Sequence, residues 1–352
     1  RDGSPVTICF NMTSIYEYSE ADFVYITQWN SDEMTHFDEL VKNKWHTMHE
    51  EGGYFRYRLK MDGSKVLPGK YKYLAQLNLN RALHRRKPID MQSMQQKFDK
   101  HIFNFTKMDK REILFEILNK NRQHKGNYFA INVSPLELGH CLFLPAMYSC
   151  LPQVVTADGL LAAIELFLLT KSPAVRMGFN GLCAHASINH LHFHFFHLQQ
   201  QMLLETVEVE HLAGPCYMLL SFPSQGFVFQ LSIHTDIQEF VGNVFKLVSF
   251  LQDNEKPHNI FITRGSSFQE KSPNSVRDHV RVYIWARKPA CEAKEDAMFY
   301  PALCEMFGQL LFRKREDYET VTEEVIANIM TDLTKEPFQS VVDQVRRMFQ
   351  NS

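Results

Sequence analysis

The sequence predicts an α+β fold made of two related halves. Runs of strand character alternate with runs of helical character through the first 200 residues, and the same style returns in the rest of the 352-residue chain. The hydrophobic share is 45%, enough to fill a large core, and the length suits two or three domains or one composite. No short repeat period is visible, so a stacked-repeat architecture is excluded.

In chain order, residues 1–45 mix acidic and aromatic residues without a period and are expected to be an irregular N-terminal extension. Residues 46–205 and 206–352 are expected to form the two halves, the first carrying the chemistry. Residues 53–60 alternate as a strand does, Pro68-Gly69 marks a turn, and residues 71–78 read as a second strand. The basic run 81–87 reads first as a solvated face, with phosphate contact as the sharper alternative. Residues 127–133 and 141–144 have strand length and are split by a turn-rich stretch. Residues 151–170 place apolar side chains at helical spacing, with Thr156-Ala-Asp158 as the start. Residues 175–180 and 185–198 are strands. The second half offers a hairpin (216–222, 226–233), a helix (236–253), strands at 259–263 and 279–286, and two helices at 320–333 and 338–349.

Composition narrows the function. With 38 Lys+Arg against 40 Asp+Glu, the chain lacks the basic excess of a dedicated nucleic-acid or anionic-membrane binder. No run of apolar residues is long enough to span a bilayer. Residues 1–10 lack a charged-then-apolar leader, and a chain opening on Arg1 is expected to have its native start upstream. The seven cysteines are scattered without C-x-x-C, which points to reduced thiols, no cysteine-rich zinc knuckle and a cytoplasmic setting. In that setting the sequons at Asn11, Asn104 and Asn132 are chance matches.

The informative stretch is Ala186-Ser-Ile-Asn-His190-Leu-His192-Phe-His194-Phe-Phe-His197. On a strand, alternate side chains share a face, so His190, His192 and His194 are expected in one row, about 7 Å apart in succession. Leu191, Phe193 and Phe195 would anchor the other face. Two chemistries fit. Paired histidines at i and i+2 bind zinc or iron with a third ligand, for which His140, His185 or a carboxylate are candidates. Alternatively, a neutral imidazole attacks phosphorus as a covalent nucleophile, with its second ring nitrogen fixing the tautomer. Ser187 and Asn189 ahead of the row, and Asn180 and Asn132 upstream, are short neutral donors. Such groups suit phosphate oxygens and are poor zinc ligands.

His-x-His-x-His with apolar x resembles the signature of the histidine-triad superfamily. Asn132 with Gly139-His140 matches the spacing in its nucleotide hydrolases. Ser187-Ile-Asn-His190-Leu-His192 is similar to a stretch of the galactose-1-phosphate uridylyltransferases. Further ordered matches include Phe55-Arg-Tyr57, Leu67-Pro-Gly-Lys70, Ala75-Gln-Leu-Asn78, Phe103-Asn-Phe-Thr-Lys107, Leu151-Pro-Gln153, Gly178-Phe-Asn180, Pro257-His-Asn259, Phe261-Ile-Thr-Arg-Gly265 and Val282-Tyr-Ile-Trp-Ala-Arg-Lys288. Together they resemble the GDP-hexose phosphorylase branch, related to the plant GDP-L-galactose phosphorylases, from about residue 50 onward.

The resemblance implies a histidine-triad-like antiparallel sheet with flanking helices, in two halves as in the uridylyltransferases. It implies a nucleotidyltransferase that turns a GDP-hexose, GDP-glucose first, plus phosphate into hexose 1-phosphate plus GDP through a GMP-histidine. His192 would be the nucleophile, His190 would fix its ring, and His194 would bond the transferring phosphoryl group or its leaving oxygen. Ser187, Asn189 and Asn180 would line the phosphate pocket and Asn132 would hold a ribose hydroxyl. No cofactor and no metal are expected, no nucleic-acid or membrane partner, and a monomer or homodimer. GDP-hexose hydrolysis, a metal-dependent hydrolase, and a non-catalytic guanine-nucleotide binding or release factor are the alternatives. Lys107, Arg264, Arg287 and Lys288 match basic family positions, where phosphate contact competes with a surface or structural role. The bulky Phe195 after the triad departs from the family pattern and is expected to narrow the strand packing or the sugar side.

Overall fold

The computed structural model describes residues 13–350 apart from 30, 87, 123–125, 269–275, 278 and 291–296. Among them, eleven strands form one continuous sheet. Numbered in chain order these are β1 (Ile15–Tyr18), β2 (Ile113–Asn119), β3 (Asn127–Ile131), β4 (Leu138–Leu144), β5 (Val175–Asn180), β6 (Phe193–His197), β7 (Glu210–Ala213), β8 (Cys216–Leu219), β9 (Gly226–Gln230), β10 (His258–Gly265) and β11 (His279–Ala286). Their spatial order is β1-β2-β3-β4-β6-β5-β10-β11-β9-β8-β7, antiparallel throughout except for β1 beside β2.

The order reveals a duplication. Three strands run as a meander, a helix crosses the sheet, the fourth strand of the unit lands at the far side, and the fifth inserts between the third and fourth. The first half does this with β2 to β6 around helix α2 (Ala157–Leu168), and the second with β7 to β11 around α3 (Ile237–Asp253), each unit contributing its strands in the same relative order. The halves meet where β5 pairs antiparallel with β10, Asn180 lying opposite Asn259.

Each helix starts where a short polar side chain can take an otherwise unpaired N–H. Thr156 accepts from Gly159 N to begin α2, and Asp236 accepts from Glu239 N to begin α3. Both helices bury their apolar stripe on one face of the sheet, against Phe193, Phe195, Val282 and Ile284. Each such large side chain, fully buried, stabilises the fold by about 1.5–3 kcal/mol. The opposite face carries the site. A second core lies there, built on Phe196, Tyr283 and Trp285 and covered by residues 299–312 and a three-stranded sheet. That small sheet joins Gly63–Val66 and Leu74–Leu77 from early in the chain to Gln309–Phe312 from late in it.

Several expectations need correction. Residues 1–45 are not uniformly irregular: within them β1 extends the main sheet, and helix α1 (His36–Glu51) packs Phe37, Val41 and Trp45 into the core. Residues 1–12 lie outside the described residues, as do Cys9, Cys291 and the sequon asparagine Asn11. Residues 53–60 alternate but form no strand; Arg56 N donates to Val133 O and Leu59 N to His49 Nε2, with no ladder. The strand expected from 185 starts only at Phe193. The two C-terminal helices are one, α4 (Glu323–Phe349), running through Pro337. Proline has no N–H for the carbonyl four residues earlier. Here that carbonyl, Leu333 O, accepts from Lys288 N at 2.9 Å, which satisfies the group and ties α4 to the chain just after β11. The five described cysteines, Cys141, Cys150, Cys183, Cys216 and Cys304, are free thiols.

Candidate active site

The histidine row is arranged by what each ring nitrogen touches. His192 is 1% exposed, and its Nδ1 lies 2.7 Å from the carbonyl oxygen of His190. A carbonyl only accepts, so Nδ1 carries the proton and Nε2 holds the lone pair. His192 borders a hollow lined by Phe103, Phe105, Asn132, Leu142 and Ile188. Its ring stands edge-on to Phe105 at 5.0 Å and to His194 at 5.2 Å between centroids.

His194 is set by a relay. Leu136 N donates to His140 Nδ1 over 3.0 Å, which leaves the proton on His140 Nε2. That nitrogen lies 3.0 Å from His194 Nδ1, so His194 accepts there and carries its own proton on Nε2. The two neighbouring rings are thus complementary, His192 offering a lone pair and His194 an N–H. Gly139 makes the relay possible. Its φ of +63° and the register shift between Leu138 and Cys141 form a bulge, and a Cβ there would meet His197 Nδ1 at 2.4 Å. Trp45 Nε1 on α1 donates to His140 O at 3.2 Å, so the helix absent from the sequence reading helps to hold the relay.

Burial lowers the affinity of these rings for a second proton. It pulls His192 down to about 4, against the weaker opposing effect of the His190 carbonyl. His194 and His140 are also held well below the ordinary imidazole range, by burial first, then by a neighbouring ring (His192 beside His194, His194 beside His140) and by Arg81. All three are neutral at pH 7.

His190 acts differently from the expectation. Its ring does not bond the His192 ring. Phe105 N donates to its Nδ1 at 3.1 Å, and its Nε2 donates to Met147 O at 2.9 Å, so the ring tethers two loops. The contact to His192 runs through its backbone carbonyl. This tether also explains why the regular strand begins only at Phe193.

Asn180 and Ser187 border a second, more polar hollow with Arg81, Arg85, His185, Tyr300, Glu305 and Arg313. The Oδ1 of Asn180 accepts from Asn259 Nδ2 at 2.7 Å and Leu303 N at 2.9 Å. Asn259 is itself fixed by Arg287 at 3.2 Å, so the second half orients this amide. Asn132 lines the same hollow as His192, its Oδ1 accepting from Ser134 N. Asn189 is the exception. Its amide donates to Gln96 O and Lys97 O and accepts from Gln153 N, which makes it scaffold rather than a pocket donor.

Sequence reasoning missed Gln153 as a site residue. Buried at 1% exposure, it accepts from His192 N at 2.9 Å and donates to His192 O and Asn180 O. It clamps the backbone of two site residues at once; its place in the Leu151-Pro-Gln153 match was the available signal. The basic run was also under-read, since Arg81 and Arg85 border both hollows. Conversely, Arg264 holds carbonyls of Val24, Tyr25 and Thr170, Lys107 those of His101 and Ile102, and Lys288 pairs with Asp332. With Arg287 on Asn259, all four are structural. Phe195 points into the helix-side core against Phe37 and Phe129, away from the hollows, so it does not narrow the sugar side. Among the described residues, no group of three or more His, Cys, Asp and Glu side chains is placed to hold a metal ion. No helix among them is long and apolar enough to cross a membrane.

The comparisons agree over most of the chain. Among solved structures, the chain is similar to yeast Ap4A phosphorylase Apa2 in complex with AMP, with a TM-score of 0.60 at 14% identity, covering 85% of this chain and 96% of that one; this is a likeness of fold. It is 39% identical to GDP-D-glucose phosphorylase 1 of Danio rerio, over 90% of this chain and 93% of that protein. It is 36% identical to the Homo sapiens protein of the same name, over 86% and 81%. It is 30% identical to GDP-L-galactose phosphorylase 2 of Arabidopsis thaliana, over 88% and 75%. Residues 36–196 match the model of the GDPGP1-like N-terminal domain and residues 200–352 that of the C-terminal domain, and the chain belongs to this GDPGP1-like family.

Proposed function

We propose that the chain is a GDP-D-glucose phosphorylase, converting GDP-glucose and phosphate to glucose 1-phosphate and GDP through GMP carried on His192. The observation that carries this reading is the pairing of a neutral His192 whose lone pair is on Nε2 with a neighbouring His194 whose proton is on Nε2. A nucleophile and a donor stand side by side where two hollows meet, both edged by Arg81 and Arg85: one carries Phe103, Phe105 and Leu142, which suit a nucleoside, and the other Asn180, Tyr300 and Arg313, which suit phosphate and sugar.

In the first step the Nε2 lone pair forms a bond to the phosphorus next to guanosine. The bond from that phosphorus to the bridging oxygen breaks, and glucose 1-phosphate departs with the electron pair. The nucleotidylated ring is cationic, and its Nδ1–H bond to the His190 carbonyl strengthens as the charge appears. Such an interaction, stronger in the transition state than before it, speeds the step. His194 Nε2–H would meet the oxygens on which negative charge grows. In the second step a phosphate oxygen attacks the same phosphorus, the N–P bond breaks, and GDP leaves. In this reading residues 46–205 supply the reacting groups, and residues 206–352 orient Asn180 and complete the polar hollow. Preference for glucose over L-galactose rests on the higher identity to the animal proteins. The scattered cysteines support a cytoplasmic setting.

The test is incubation with GDP-glucose labelled at the phosphorus next to guanosine, with phosphate withheld. Stoichiometric, acid-labile label on the wild type, absent from His192→Asn and released as GDP on adding phosphate, is the expected result. An unlabelled wild type, or phosphorolysis retained by His192→Asn, contradicts the reading.

A further inference from the structure

Arg85 differs from its basic neighbours. Arg81 is anchored, donating to Ser134 O and lying 3.4 Å from the Tyr57 hydroxyl. Arg86 is stacked, its guanidinium 3.4 Å from the centroid of Phe103. The Arg85 guanidinium rests 4.4 Å from the Tyr300 centroid, and among the described residues it donates no hydrogen bond and meets no carboxylate at ion-pair distance. Arg313 approaches the same ring at 4.6 Å. A largely buried cation with Arg81 and Arg313 close by, and no carboxylate at ion-pair distance, is costly until an anion joins it. Burial, then Arg81 and Arg313, pull Arg85 down to about 10 against the opposing effect of Tyr300 and Glu305, which leaves it charged at neutral pH. Arg85 is also one of four residues, with Arg81, Ser187 and His194, that border both hollows.

The reaction proposed above needs an anion at that seam twice. The departing phosphoryl group of glucose 1-phosphate and the incoming phosphate both stand opposite His192 Nε2 across the reacting phosphorus. We propose that Arg85 is the acceptor-selecting residue: its free guanidinium fork binds inorganic phosphate beside the GMP-histidine and so directs the nucleotidyl group to phosphate rather than to water. When phosphate attacks, its oxygen forms the new bond as the N–P bond breaks, the electron pair returns to the imidazole, and any remaining phosphate proton passes to solvent. When water attacks, the same bond breaks and GMP leaves with release of a proton. Arginine suits the task because its planar fork holds two phosphate oxygens at once, which lysine cannot reproduce.

This inference rests on the GMP-histidine reading, and its test separates the two. Wild type, Arg85→Gln and Arg85→Lys are charged with GMP from GDP-glucose, then discharged across a series of inorganic phosphate concentrations. The readouts are the KM for phosphate and the ratio of GDP to GMP formed. Arg85→Gln is expected to raise that KM about 30-fold or more and to shift product from GDP to GMP. Arg85→Lys is expected to lie between, and decides alone if the Gln variant does not fold. Variants that charge with GMP yet keep the wild-type phosphate KM and product ratio overturn the assignment. A wild type that never charges with GMP instead overturns the function on which it rests.

Discussion

The backbone carbonyl of His190 accepts the Nδ1 proton of His192 over 2.7 Å, while the His190 ring faces Phe105 N and Met147 O. One residue thus sets the tautomer of its neighbour with its main chain and ties down two loops with its side chain. Replacing the side chain leaves the carbonyl in place. His190→Ala is therefore expected to keep GMP labelling, with the labelling rate down about 10- to 100-fold through loosened positioning. His192→Asn is expected to lose about 10⁴-fold or more. Single-turnover labelling of both variants compares them directly; equal losses would mean that the two rings act as one unit.

His140 is expected to matter without touching the reacting atoms. Its Nε2–H fixes the proton of His194 on the far nitrogen. In His140→Phe, His194 is free to adopt the other tautomer, and about 10²-fold should be lost from kcat with little change in the KM for GDP-glucose. His140→Gln, which restores a donor, should recover part of it. A loss confined to KM would show that the relay serves binding.

The pH dependence follows from burial. His192 must be neutral to attack, and its pKa is lowered from 6.5 to about 4. The acid limb of GMP labelling is thus expected near pH 4 to 5, with a flat rate from there to neutrality. A limb near 6.5 would show a solvent-exposed nucleophile.

Stability shares this origin. His192, His190, His197 and His258 each bind a proton less readily folded, near 4, than in the ordinary imidazole range. Their folded pKa values are depressed, so the unfolded chain takes up more protons between about pH 6.5 and 4. Stability is therefore full above 6.5 and is lost as pH falls through that window, by about 3 kcal/mol for a group shifted this far. Thermal unfolding from pH 7 to pH 4.5 should show a steep fall in Tm. His258→Gln, remote from the chemistry, should flatten it by a measurable share.

Gln153 joins these threads. Its carboxamide bonds the main chain of His192 on both sides and of Asn180. Gln153→Ala leaves those buried groups unpaired, at a cost of about 1–3 kcal/mol per lost partner. Urea unfolding should register that loss, and GMP labelling should slow beyond what the lower stability explains.

Much of this was legible because the sequence pattern and the physics agreed. Phe193 and Phe195 alternate with His192 and His194, and the strand puts them on opposite faces as the period of two requires. Helices α2 and α3 carry both a capping side chain and an apolar stripe. Legibility failed where a local pattern was answered by a distant partner. Residues 53–60 alternate but find no strand to pair with. Pro337 signals a helix end, yet Lys288 N takes the carbonyl that it strands. The α1 helix had a signal that went unread, Thr35 with Asp38 as its cap and Phe37, Val41 and Trp45 at intervals of four. Asn189 looked like a pocket donor because its neighbours are, but loop carbonyls at Gln96 and Lys97 claim its amide.

The pairing of β5 with β10 has a consequence for how the two units can be separated. Both strands are buried along their length, and each covers the hydrogen-bonding edge of the other. Either unit expressed alone would present a long, flat, apolar rim with unsatisfied amides, a template for indiscriminate self-association. The duplicated arrangement is therefore an obligate partnership within one polypeptide: cleavage between the units should yield insoluble fragments that regain solubility only when produced together.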